Sequence, residues 1–125
     1  MKLTHHEAVA NIMEWAAEKK AEKTISIDVK GKTDYTDTII ICDGLNEIHL
    51  KAIADHIIDQ GKKFGLELLA IEGYQSATWI LLDFIDIIVH IFQKKYRELY
   101  RLEELWQINS KNRKKIETKD DQRED

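Results

Sequence analysis

Trp79-Ile80-Leu81-Leu82-Asp83-Phe84-Ile85-Asp86-Ile87-Ile88-Val89-His90-Ile91-Phe92 is the stretch on which the fold turns. Residues 79–83 and 86–92 are strand-length runs rich in β-branched and aromatic side chains, and only Phe84-Ile85 lies between them. A link this short cannot hold a crossover helix, so the two runs are expected to form an antiparallel hairpin. Alternation along the first run puts Trp79, Leu81 and Asp83 on one face and Ile80 and Leu82 on the other.

Upstream, residues 38–42 form an apolar run dominated by isoleucine, as expected of a central strand buried on both faces. Asp43-Gly44-Leu45-Asn46 breaks it, and Asn46 can cap a helix with the stripe Leu50, Ile53, Ala54, Ile57, Gly61 and Phe64, closing at Gly65. A third strand over residues 66–71 completes a strand-helix-strand crossover, which predicts two parallel strands. With the hairpin, the sheet must be mixed. Further upstream, Thr4-His5-His6-Glu7 has capping-box spacing and opens a helix with the stripe Val9, Ile12, Met13 and Ala16. Residues 24–29 then switch to period two, with Ile25, Ile27 and Val29 alternating against Ser26 and Asp28. Tyr96, Leu99, Leu102 and Trp106 mark a last helix. The expected fold class is α/β: a single domain with a mixed five-stranded sheet and flanking helices, in the order α-β-β-α-β-β-β-α.

The chain has 125 residues, too few for a multidomain enzyme, and its 43% apolar and 34% charged residues suit a folded domain with an ionic surface. Its formal net charge is −4, and six basic against five acidic residues follow Trp106, so the body carries about −5 and the tail about +1. The domain is therefore expected over residues 1–106, followed by a charged, disordered tail over 107–125. An acidic body disfavours binding nucleic acid through a basic groove and suits a basic protein partner. The N-terminus enters an amphipathic pattern without an apolar leader, and no run reaches transmembrane length, so no membrane contact is expected and the location is read as cytoplasmic.

Several residues invite chemistry. Across a two-residue turn, Asp83 and Asp86 would face one another, and like charges so placed repel unless a cation lies between them. A divalent metal with a phosphate substrate, a Lys or Arg from a partner, and two solvated turn acids all fit. The metal reading, with Asp34 and Asp37 as further ligands, describes a nucleotidyltransferase-like or nucleotide-binding enzyme, but no GxxxxGK[ST] loop accompanies it. His5 and His6 point apart on a helix, and His49 and His56 are too far apart to chelate together, so no metal or other cofactor is expected. His90 reads as a core or half-buried histidine. Cys42 reads as a core thiol rather than a nucleophile served by His49. Trp79, Leu81 and Asp83 would form an interface patch if their face is open, and would be core if a helix covers it.

Ile41-Cys42-Asp43-Gly44, His49-Leu50-Lys51-Ala52-Ile53-Ala54-Asp55, Ile71-Glu72-Gly73-Tyr74, the hairpin, Arg97-Glu98-Leu99-Tyr100 and Leu102-Glu103-Glu104-Leu105-Trp106 follow one another in an order and spacing that closely resembles the ribosomal silencing factor (RsfS, or iojap-like) family. The resemblance covers residues 5–106. It implies a fold similar to that of nucleotidyltransferases but without catalysis. It also implies binding to the large ribosomal subunit through its ribosomal protein number fourteen, which blocks subunit joining and represses translation. The partner-binding residues it implies are Glu72, Tyr74, Trp79, Leu81, Asp83 and Asp86, with no catalytic and no metal-binding residue. Some family members form homodimers, so a second copy is another implied partner. The Lys111 to Lys115 cluster offers a minor contact to ribosomal RNA, against the simpler reading of a solvated tail. The family commonly has Gly at the position of Ile85, where a tight turn favours positive φ, so this chain either strains there or turns differently.

Overall fold

The computed structural model describes residues 3–100. Helix α1 (His5–Glu18) begins at the expected capping box: the Thr4 N–H donates to Glu7 Oε1 at 3.0 Å and the Glu7 N–H returns to Thr4 Oγ1 at 3.1 Å. Its buried stripe is Ala8, Ile12, Trp15 and Ala16, rotated from the expected one, with Val9 and Met13 only half-buried. Trp15 draws the stripe round because it offers the largest apolar surface on the helix, and its ring packs 5.7 Å from that of Phe64.

Helix α2 (Glu47–Lys63) starts where the Asn46 side chain accepts from the His49 N–H at 2.9 Å, and it buries Leu50, Ile53, Ala54, Ile57 and Gly61. Phe64, expected in that stripe, is 41% exposed. It is the C-cap residue, where helical geometry has lapsed, and Gly65 at φ +80° turns the chain away.

Five strands follow the expected order: β1 (Glu22–Asp28), β2 (Thr38–Gly44), β3 (Ala70–Glu72), β4 (Trp79–Asp83) and β5 (Ile87–Gln93), with α3 (Lys94–Tyr100) after them. They form one mixed sheet in the spatial order β1-β2-β5-β4-β3, in which only β2 and β5 pair in parallel. Every residue of β2 is buried, as its isoleucine run requires. The crossover from β2 through α2 does not deliver a neighbouring strand. Instead β3 lies at the far edge, antiparallel to β4, and the β4–β5 hairpin fills the space between. The strand is also shorter than the expected 66–71, because Leu66 and Leu68 pack against the helix-side core before the ladder begins.

Both long helices lie on one face of the sheet, where Ile40, Cys42, Ile80, Leu82, Val89 and Ile91 meet α1 and α2. The opposite face holds a second, smaller cluster of Ile27, Val29, Ile39, Ile41 and Phe92, with Ile25 and Trp79 packed at its margin. At one end of this face, Arg97 of α3 donates to Asp43 Oδ1 at 2.9 Å and to the Lys23 carbonyl at 2.6 Å, and both charged side chains are buried. This pair ties α3 to the β1–β2 side of the sheet. Leu102 and Trp106 of the expected last helix, the domain boundary at residue 106 and the tail 107–125 all lie outside the described residues.

Candidate interaction surface

Strand register assembles the candidate site. On the face opposite α1 and α2, Trp79 stands beside Phe92, Leu81 beside His90 and Asp83 beside Ile88. On the other side of β4, Glu72 stands beside Leu81. Glu72 is exposed, and Trp79, Leu81 and Asp83 are half-buried, whereas Ile80 and Leu82 between them are wholly buried. Neither α1 nor α2 covers the Trp79 face; the part of the expected last helix beyond residue 100 lies outside the described residues. Glu72, Trp79, Leu81 and Asp83 are brought together.

The indole does not stand free. Its N–H donates to His90 Nδ1 at 2.9 Å, and its ring lies 5.0 Å from Phe92 and 5.7 Å from His90. His90 and Phe92 stack at 6.2 Å with an 11° interplanar angle. Because an indole nitrogen can only donate, Nδ1 must be unprotonated, and neutral His90 then carries its proton on Nε2. Burial acts in the same direction, lowering the His90 pKa from 6.5 to about 4. The loop before β4 fixes the strand's entry. Gly73 sits at φ +77° so close to the Trp79 carbonyl that a Cβ would collide with it, and Gln93 Nε2 donates to the Ala77 carbonyl at 2.9 Å. Any side chain at residue 73 would push Trp79 out of register.

Tyr74 and Asp86 sit elsewhere. Tyr74 packs on the helix side, where its hydroxyl donates to the Asp55 carboxylate of α2 at 3.0 Å and Lys51 Nζ lies 5.3 Å from its ring centre. The bond to Asp55 raises the Tyr74 pKa above its ordinary value. Asp86 lies in the turn, its carbonyl accepting from the Asp37 and Thr38 N–H groups at 3.0 and 3.1 Å.

The expectation that Asp83 and Asp86 face one another is overturned, since β5 starts at Ile87 and the residue paired with Asp83 is Ile88. Instead Asp83 Oδ1 accepts from the Ile85 N–H at 2.8 Å, and the Asp86 N–H donates to the Phe84 carbonyl at 3.0 Å around Ile85 at φ +78°. This three-residue turn strains a β-branched residue at the position where glycine is common in the family that the sequence resembles.

The remaining chemical candidates resolve into structure. Cys42 is wholly buried, and desolvation pushes its pKa up to about 12, which suppresses the thiolate a nucleophile needs. His49 accepts from the Leu45 N–H at Nδ1 and bonds the Lys19 carbonyl through Nε2, at 2.8 and 2.7 Å, so its ring closes two chain segments and is not available as a base. Among the described residues, no group of three or more His, Cys, Asp or Glu side chains could hold a metal ion.

Comparison with known proteins decides the family. The profile described as "Ribosomal silencing factor during starvation" matches residues 2–125. The chain belongs to the ribosomal silencing factor family. Among curated relatives, the silencing factor RsfS of Haemophilus influenzae is 41% identical over 95 residues, covering 76% of this chain and 93% of its own. That of Halalkalibacterium halodurans is 38% identical over 89 residues, covering 71% and 76% respectively. A crystal structure of a Chromobacterium violaceum protein superposes with a TM-score of 0.81 at 26% identity, covering 83% of this chain and 87% of the other. The silencing-factor fold thus accounts for the mixed sheet with both long helices on one face. No helix among the described residues is long and apolar enough to cross a membrane.

Sequence reading missed His90 as a member of this site. One signal was available: His90 has the same parity in β5 as Phe92, so it faces whichever side Trp79 faces once the hairpin is granted.

Proposed function

We propose that this protein silences translation by binding the large ribosomal subunit through its ribosomal protein number fourteen and blocking entry of the small subunit. The observation that carries the reading is the sheet face that neither α1 nor α2 covers, where Glu72 and Asp83 flank Leu81 beside a Trp79 that is already ordered. An aromatic anchor with carboxylates around it is the complement of a basic protein surface, and the acidic body strengthens long-range attraction to such a partner. Nothing in this mechanism makes or breaks a bond. Occupying the joining surface of one subunit lowers the population free to associate, so the protein is a stoichiometric factor rather than an enzyme, and it acts in the cytoplasm.

Tyr74 and Asp86 belong to the edge of the contact or outside it, and the core of the contact is Trp79 with Leu81, Glu72 and Asp83. A second copy using the same sheet face would compete with the ribosome, and the basic cluster at residues 111–115 would add a minor contact to ribosomal RNA. Sedimentation of purified subunits tests the central claim. Fewer joined ribosomes are expected as the protein is added, and undiminished joining at saturating protein excludes it.

A further inference from the structure

The open face contains a buried ionisable group with no part in the mechanism above. His90 lies in β5, the central strand of the sheet, 7% exposed, between Ile41 of β2 and Leu81 of β4. A histidine here is costly, because an imidazole removed from water must have its polar atoms satisfied, and leucine or phenylalanine would fill the space without that demand. What it supplies is an acceptor at Nδ1, 2.9 Å from the Trp79 indole nitrogen, in the diagonal position across the β4–β5 ladder.

We propose that His90 is a positioning residue for docking: its neutral ring, protonated on Nε2, holds the Trp79 indole by its N–H in the one orientation that the partner meets. The inference rests on the docking role proposed above. Contacts among the described residues hold the indole as a rigid plate, including the hydrogen bond to His90 at one edge, the Phe92 ring 5.0 Å away and the His90 ring 5.7 Å away, with His90 itself stacked on Phe92. An anchor that is ordered before contact loses less side-chain freedom on binding, which appears as affinity. The arrangement also selects the partner's chemistry. With its N–H already engaged inside the domain, the indole needs no acceptor from the partner and presents a carbon face. A lysine or arginine stem suits that face, with Glu72 and Asp83 on the same side of the sheet to take its charge.

Two substitutions separate positioning from bulk. His90→Phe keeps the ring and removes the acceptor, whereas His90→Asn places an oxygen where Nδ1 stood. Affinity for the large subunit should fall about tenfold in His90→Phe, the scale of a lost buried hydrogen bond, and be largely restored in His90→Asn. Indole N–H resonances of ¹⁵N-tryptophan-labelled protein supply the readout that a space-filling role would not move. The Trp79 signal should shift and exchange faster in His90→Phe, and stay near its wild-type position in His90→Asn. In the wild-type protein, ¹⁵N-histidine spectra should show His90 Nδ1 unprotonated, a measurement that does not depend on either variant folding. A proton on Nδ1, or His90→Phe binding as tightly as wild type, overturns the inference while leaving the docking role intact. Failure of the wild-type protein to bind the large subunit overturns both.

Discussion

Adjacent residues of β4 serve opposite sides of the sheet. Ile80 and Leu82 are wholly buried beneath α1 and α2, in a cluster drawn from both helices and three strands. Trp79, Leu81 and Asp83, each one residue away, remain half-exposed on a face that neither long helix covers. The face that α1 and α2 cover is mainly apolar, with polar exceptions such as Thr38, whose hydroxyl meets His5 Nε2 of α1 at 2.8 Å, and Tyr74, bonded to Asp55 of α2. The Trp79 face mixes an indole, an imidazole and two carboxylates, with the indole N–H bonded to His90 and Asp83 Oδ1 accepting from the Ile85 N–H. A domain of this size can therefore place its larger core on one side, keep a smaller cluster on the other, and leave the margin around Trp79 to recognition. Period-two alternation is what lets one five-residue strand contribute to both.

The largest test of this division is a cavity on the covered face. Leu82→Ala should cost about 2–5 kcal/mol of unfolding free energy, measured by urea denaturation, because a fully buried leucine leaves a void that a sheet pinned between two neighbours cannot close. If the fold survives, the open face and its affinity for the large subunit should be unchanged, since Leu82 points away from it. A variant that folded as stably as wild type would mean that the two faces do not divide the work.

Acid should next reveal that the open face is not energetically idle. His90 has a pKa of about 4 in the folded protein against 6.5 when exposed. Between these values the unfolded chain binds a proton that the folded one refuses, so stability rises with pH across this window. The stabilisation is fully present above pH 6.5 and is lost as pH falls towards 4, by about 3 kcal/mol from this group. His90→Phe should flatten the slope of unfolding free energy against pH in that interval, and an unaltered slope would assign it to other groups.

How much of this is legible in the sequence follows from what is local. The capping box at Thr4, the Asn46 cap, the all-buried β2 and the two faces of β4 all come from spacings within one element, and each is present. Strand neighbours are not local. A crossover helix says that β2 and β3 run the same way, but not that a later hairpin will insert β5 and β4 between them, because that choice depends on burying the apolar run of β5 beside β2. The same limit applied to the site. Parity placed Trp79, Leu81 and Asp83 together, and Glu72 joined them only through the β3–β4 register. Tyr74, close to Glu72 in sequence, was carried to α2 by the sharp turn at Gly73.

Trp79→Ala sharpens the comparison from the other side. Affinity for the large subunit should drop by about 2 kcal/mol, as for a central aromatic anchor. The cost to folding should be smaller than that of Leu82→Ala, since the indole is only half-buried and its removal opens a gap that water can enter. Isothermal titration together with thermal melting reads both quantities. A greater loss of stability than of affinity would make Trp79 a member of the core that happens to be visible.

The smallest effect is expected at the hairpin tip, which lies off both faces. Ile85 holds φ +78° with its side chain 54% exposed, so it bears the strain of a left-handed β-branched residue and gains little from burial. Ile85→Gly removes the Cβ clash and loses some unfolded-state restriction in return. The balance should favour the folded state by about 1 kcal/mol, visible as a melting temperature a few degrees higher. Docking should be untouched, because Asp83 would keep its bond to the residue 85 N–H and hence its place on β4. If affinity fell while stability rose, the strained tip itself would be part of the contact, and the boundary of the recognition face would have to be redrawn to include the turn.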